Sequence, residues 1–322
     1  MNRWLSPEQI NALASDPANL SRSDVPLDVD PRRPFVPESY TQLYYTPIYP
    51  SLHFEHRLRY NQLFGCRINE YIMMLESDLV EHLLIPLQRR LRTRGDAALA
   101  HALGIMVEEE RRHFDVFAAL NRACRPDLYP PGRQRVFSRL PIWSKAMFWA
   151  AGLLANRLPF SLWYLMALEE SSTALARDMA RLPETETLGA LDPAFVGVHR
   201  EHLKDESRHL QIDGLLIEAC MGTGGRLRRV LNAKLFQSML LGITTPTRGG
   251  AGARVIREFV REMPELQSRE EEMIRAVLAL RDDEAFQRSL FNRRIMPMTF
   301  QIFDGAEELA DLGKHMAGYD RR

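Results

Sequence analysis

EHLKDESRHLQID, residues 201–213, sets His202, Glu206 and His209 at spacings of four and three. At 3.6 residues per turn they share one line of a helix, within about 40–60° of one another. Phe195, Val198, Leu210, Leu216 and Ile217 flank that line, so it runs down an apolar stripe. An imidazole or carboxylate buried there costs free energy unless it is paired or coordinated. The question is what else the chain aims at the same point.

Three other segments answer in kind. In NEYIMMLESDL (69–79), Glu76 lies among Ile72, Met73, Leu79, Val80 and Leu83, whereas Glu70, Ser77, Asp78 and Glu81 fall on the polar side. In EEERRH (108–113), Glu110 and His113 lie between Met106, Val107, Phe114 and Phe117. In ALEESS (167–172), Glu169 shares a face with Leu162, Leu165, Met166, Thr173 and Ala176. Glu170 shares the other face with Arg177 and Arg181 and stands as the alternative. Two Glu-x-x-His sequences are weak alone in a chain this acidic. Four apolar stripes, each with a carboxylate, carry the inference of a common partner. A pair of metal ions supplies it, since Glu-x-x-His projects oxygen and nitrogen toward one point. Carboxylate and imidazole without thiolate suit iron or manganese better than a tetrahedral zinc site. His202 either ligates or orients a ligand; Asp213 either orients an imidazole or is solvated or structural. His199 reads as structural or at the pocket mouth, and His53, His56, His82, His101 and His315 fit no ligand pattern.

The rest of the sequence bounds the setting. The 322 residues balance 42 basic against 42 acidic side chains, which argues against nucleic-acid binding. Cys66, Cys124 and Cys220 form no CxxC pair, and the N-terminus has no apolar leader core; both predict a cytoplasmic protein. No apolar run reaches ~18 residues, so no spanning segment is expected. AMFWAAGLLAN (146–156) reads as a buried helix rather than a membrane contact.

Residues 1–50 are rich in proline, aspartate and tyrosine and read as an extended arm, packed over the body or partly disordered. Residues 51–221 show helical spacing throughout: helices near 54–93 (bent near Pro86), 97–122, 159–182 and 192–221, with a crossover helix at 141–157. Further helices are expected at 226–242, 252–262, 266–281, 283–295 and 299–316. Residues 222–322 thus add C-terminal helices packed on the bundle, after a stop at GTGG (222–225). Two helices, a longer connection and two more helices make an all-α, ferritin-like four-helix bundle.

In these motifs the chain resembles the diiron N-oxygenases typified by p-aminobenzoate N-oxygenase (AurF-like). The ligand helix of that family reads His-x-x-x-Glu-x-x-His, as HLKDESRH does at 202–209, and Glu76, Glu110, His113 and Glu169 precede it in the family's order. The interval from Glu169 to His202 is longer than the family pattern. The resemblance covers roughly residues 50–220. It implies seven ligands to two iron ions: Glu110 and Glu206 bridging, Glu76 and His113 on one ion, and Glu169, His209 and His202 on the other. It further implies O2 as co-substrate, an external electron donor or redox partner protein, and a small-molecule substrate. The favoured reaction is N-oxygenation of an amine to hydroxylamine, nitroso or nitro level in a biosynthetic pathway. Carbon hydroxylation or halogenation, iron storage or ferroxidase activity, a radical-generating subunit and a purely structural role are the competing readings. A homodimer is compatible with the sequence. FNRRIMP (291–297) offers Asn292, Arg293 and Arg294 either as a solvated helix end or as a contact for an acidic substrate.

Overall fold

A computed structural model describes residues 4–139, 142–154, 157–221 and 225–320. Ser6 accepts from the N–H of Gln9, the Gln9 side chain accepts from the N–H of Ser6, and Pro7 takes the first helical position. This capping box starts α1, Pro7–Ala14, a short helix in the arm that its composition did not signal. From there to His53 the chain runs through short 3-10 turns and irregular segments, held down by buried Phe35, Val36, Leu43 and Tyr49.

The bundle follows. Its first rod is α2 (Phe54–Leu79), a π turn (Val80–Leu84) and α3 (Ile85–Arg94). Pro86 has no N–H for the carbonyl four residues back and its ring crowds that carbonyl. A π turn, Val80–Leu84, stands just before it at the position of the expected bend. α3 stops at Gly95, whose φ of 85° is open to glycine at little cost. α4 (Ala97–Cys124), the crossover α5 (Ile142–Leu153), α6 (Phe160–Arg181) and α7 (Pro193–Met221) complete the set. Asp192 caps α7 by accepting from the N–H of Phe195, with Pro193 next to it. α5 meets the π turn through Gly152, where a Cβ would stand 2.9 Å from the Leu83 carbonyl oxygen. Its other face leaves Ile142, Trp143 and Trp149 exposed. The described residues include no helix long and apolar enough to cross a membrane.

α8 (Arg226–Thr244), α9 (Ala251–Glu262), α10 (Glu270–Ala279), α11 (Glu284–Leu290) and α12 (Pro297–Asp304) pack on the outside. The long helix expected at 299–316 ends at Asp304. Gly305 follows, and two 3-10 turns (Glu307–Leu309 and Leu312–Lys314) carry Leu309 and Leu312 into the core. Most of the expected GTGG stop, and residues 155–156 of the crossover stretch, lie outside the described residues. The described residues contain no β-strand, only an isolated bridge between Glu184 and Ala190. The chain is all-α, as a ferritin-like bundle requires.

Among the core helices, α6 lies against α7, α2 against α4 and α4 against α7, while α2 and α6 approach each other less closely. Two apolar clusters fill the bundle. One holds Leu79, Met106, Leu165 and Leu210; the other holds Ile72, Phe117, Leu175 and Val198. Each core helix contributes to both, and on each the candidate ligands fall between the two contributions. The site is therefore a polar layer sandwiched between two dry ones.

Candidate metal centre

The structure brings the seven sequence-derived residues into two adjacent groups. Glu76, His113 and His202 form one; Glu110, Glu169, Glu206 and His209 form the other. Within each group one ligand atom per residue lies within 4.8 Å of the others. This grouping differs from the expected one, which set His202 with Glu169 and His209. His202 and His209 are seven residues apart on α7, so they reach opposite ends of the layer, and Glu206 stands between them. Nε2 of His202 lies 2.9 Å from Glu206 Oε1 and 3.3 Å from Glu76 Oε1. Nδ1 of His209 lies 2.8 Å from Glu110 Oε1 and 3.2 Å from Glu206 Oε1.

These inward atoms crowd together. Both oxygens of Glu76 and of Glu206, Oε1 of Glu110, and Nδ1 of His113 and His209 are buried without a hydrogen-bond partner. Buried polar atoms are nearly always satisfied, so unpartnered lone pairs converging on two points fit cations. The charge fits too: four carboxylates balance two divalent ions when the imidazoles are neutral.

Without a cation, protons carry the compensation. Burial works against a charged His202, but Glu206 and Glu76 outweigh it and push its pKa up to about 10. Burial likewise opposes charge on His209 and is outweighed by Glu206 and Glu110, which hold its pKa well above the usual range. Glu206 is held well below the usual carboxylate range, because His202 and His209 overcome its burial. Burial raises Glu76 to about 7. Burial, then the charges of Glu206 and Glu110, push Glu169 well up.

The outward nitrogens are held by residues that the sequence reading did not single out. Nε2 of His113 on α4 lies 2.9 Å from Oδ2 of Asp205 on α7, and Nε2 of His209 on α7 lies 3.0 Å from Oε2 of Glu109 on α4. Arg208 donates to both acids, at 2.6 Å to Glu109 and 2.7 Å to Asp205. The arm joins this network: Ser21 N–H donates to Asp205, and Arg208 donates to the Asn19 carbonyl. Such partners fix the tautomer and ring orientation of a ligating imidazole. The available signal was an acidic residue directly before the glutamate in both Glu-x-x-His motifs.

Other expectations resolve as follows. Glu170 is buried away from both groups and accepts from the N–H groups of Met298 and Thr299, at the start of α12. Asp213 is fully buried with both oxygens unpartnered, so it is not solvated, and the acid that orients His209 is Glu109. Glu70 is buried, not on a solvated face. It accepts from the Tyr129 hydroxyl and from the N–H groups of Val136, Phe137 and Ser138, because the loop after α4 folds back over α2. Asp78 on the same side pairs with Arg135 and Lys145. His199 is buried with Nε2 bonded to Asn69 at 3.1 Å. His53, His56, His82, His101 and His315 enter neither group. Arg293 pairs with Asp304 and Asp320, and Arg294 with Asp178, so both cations are already engaged.

Comparison with known families gives one result on top of this geometry. The family model described as p-aminobenzoate N-oxygenase AurF matches residues 18–293. No curated relative matches the chain. The matched span takes in all four core helices, both candidate ligand groups and the acids behind them. By that match, the chain belongs to the p-aminobenzoate N-oxygenase family.

Proposed function

We propose that this chain is a non-haem diiron oxygenase that uses O2 to N-oxygenate a small-molecule amine. The observation that carries the reading is the convergence of unpartnered carboxylate and imidazole atoms on two neighbouring points, in a chain of this family. Glu76, His113 and His202 would hold one iron, and Glu110, Glu169, Glu206 and His209 the other. Iron suits this donor set, and manganese shares its preferences. When bound, two ferrous ions supply electrons to dioxygen, and an external donor restores them.

The protein's own part is positional. Asp205 and Glu109 hold the outward nitrogens of His113 and His209, so that Nδ1 of each faces the site unprotonated once a metal displaces its proton. The apolar clusters above and below exclude water, which strengthens every charge interaction between them. Oxidation of nitrogen rather than carbon, the redox partner and a homodimeric state all belong to this proposal. The test is anaerobic iron loading with metal analysis, followed by O2 and a panel of aryl and alkyl amines with product analysis. N-oxygenated product that depends on both iron and O2 is expected. Hydroxylated or halogenated carbon products alone would move the activity to the related carbon oxidations, and no turnover with rapid iron mineralisation would favour storage.

A further inference from the structure

α5 and α8 lie side by side and antiparallel on the outside of the bundle. Trp143 and Met147 line the same cleft as Met239 and Gly242. Toward the opposite ends, the Asn232 side chain donates to the Arg157 carbonyl at 3.3 Å. α3 joins this face where Arg90 donates to the Leu153 carbonyl.

Both helices are apolar on their outer as well as their inner sides. α5 buries Phe148, Ala151 and Gly152 and turns Ile142, Ala146, Trp149 and Leu153 outward, with Trp143 beside them. Spacings of four, three and four make a single outer stripe. The expected burial of the 146–156 segment therefore holds for one face only. α8 buries Ala233, Phe236 and Leu240 and exposes Leu227, Val230, Leu231 and Leu241. Ile142 is 85% exposed, Trp143 68% and Leu227 84%. Trp4 and Trp163 are buried, so both exposed tryptophans of the chain stand on α5. A contiguous apolar surface left to solvent marks a site of interaction.

Charge selects the partner. The chain is neutral overall, yet no acidic residue occurs between Glu81 and Asp96, between Asp127 and Glu169, or between Glu218 and Glu258. Those spans hold α3, α5 and α8. Arg92 and Arg94 of α3, Arg157 after α5, and Arg226 and Lys234 of α8 are exposed and enter no ion pair among the described residues. Lys145 pairs with Asp78 and Arg229 with Glu308, both acids lent by other elements. The end of α3 is a favourable place for Arg92 and Arg94, but α8 opens on Arg226, Arg228 and Arg229 with no acid in its first turn. The helix dipole disfavours cations there and favours an external anion. A second copy of the chain, docked through this face about a twofold axis, would set these cations against their own copies. An anionic surface matches them.

We propose that the face made by α3, α5 and α8 docks the protein on an anionic phospholipid bilayer without crossing it. Ile142, Trp143, Trp149, Leu227 and Leu231 enter the boundary between headgroups and acyl chains, the level at which tryptophan rings settle. The surrounding cations meet lipid phosphates. No described helix is long and apolar enough to span, so α5 and α8 lie along the surface. The candidate metal ligands are on α2, α4, α6 and α7, outside this face.

The test is co-sedimentation of the full chain with vesicles of phosphatidylcholine alone and of an equal mixture with phosphatidylglycerol. A second batch of the mixture carries brominated acyl chains, which quench tryptophan. The native protein should bind the anionic vesicles at least ~10-fold more strongly than the neutral ones, and less strongly as salt is raised. The brominated lipid should quench its fluorescence, because Trp143 and Trp149 enter the bilayer. Trp143→Ser with Leu227→Ser should weaken binding ~10-fold or more. Arg92→Gln with Arg94→Gln should weaken it by a factor of roughly 25, at about fivefold per cation near the surface. Each pair changes exposed side chains on different helices, so a folding fault in one leaves the other to decide. No binding, equal binding to both vesicles, binding without quenching, or binding that survives the Trp143→Ser, Leu227→Ser exchange would each overturn the proposal. So would a native dimer, measured by light scattering, that the same exchange turns into monomer, since the face would then belong to a second copy. None of these readouts depends on iron, so the oxygenase reading stands or falls by its own test.

Discussion

Nε2 of His113 on α4 bonds Asp205 on α7 at 2.9 Å, and the mirrored pair, His209 and Glu109, closes at 3.0 Å. Each acid sits one residue before the glutamate of its own Glu-x-x-His motif but serves the histidine of the other helix. Arg208, bonded to both acids, ties the two crossings together. The polar layer is therefore clamped from outside before any ion enters.

Asp205→Asn keeps the shape and removes the charge. Iron affinity is expected to fall ~10–100-fold, the usual loss for a residue behind a ligand, with the fold intact. Metal competition assays check this; unchanged affinity would show that His113 needs no anionic partner. Arg208→Leu removes the buried cation bonded to both carboxylates, leaving them only the more exposed Arg112 at 3.8 and 3.7 Å, and should cost up to about 3–5 kcal/mol of stability in denaturant unfolding.

Adjacent glutamates on α6 should separate cleanly. Glu169→Ala should lower bound iron, because Glu169 faces Glu110 and Glu206. Glu170→Ala should leave iron content unchanged and lower the melting temperature, because it strips the acceptor from two N–H groups at the start of α12. Iron analysis beside thermal unfolding reads both, and equal iron loss in the two variants would reject the face assignment.

The stripes made most of the site legible. Glu76, Glu110, Glu169 and the His202–Glu206–His209 line stand out because helical period marks polar residues on apolar faces. What period cannot mark is a partner on another element. Glu70 reads as solvated on its own helix, yet a loop some sixty residues later covers it. Glu109 and Asp205 lie about 100° from their neighbouring ligands and look outward until α4 and α7 are set side by side. The pairing of His202 with Glu76 was missed for the same reason: spacing orders ligands along a helix but does not say which neighbour each one meets.

Metal uptake should release protons. In the metal-free protein burial disfavours charge on His202, but the carboxylates of Glu206 and Glu76 win and raise it to about 10, and burial raises Glu76 to about 7. Below these values the free protein binds protons that the loaded protein cannot keep. Apparent iron affinity must therefore rise with pH, first through the region near 7 and on toward 10, and must fall on acidification. Anaerobic calorimetry at pH 7.5 in buffers of different ionisation heat should give release of at least one proton per chain; none released would mean His202 is neutral before metal binds.

His202→Ala strips one member from the group that already has the fewest protein ligands, Glu76, His113 and His202. One iron should stay in the other group, while affinity for the second falls by more than ~100-fold, beyond what loss of a merely orienting residue costs. A variant that binds both irons with native affinity would assign His202 an orienting role.

The central claim is two metal ions held between α2, α4, α6 and α7. Anaerobic ferrous titration followed by Mössbauer spectroscopy of the same sample tests it most directly. The structure predicts two irons per chain in two unequal ferrous environments, both lost or disordered in Glu206→Ala. A single iron or none in well-folded native protein, or two irons undisturbed by Glu206→Ala, would contradict it.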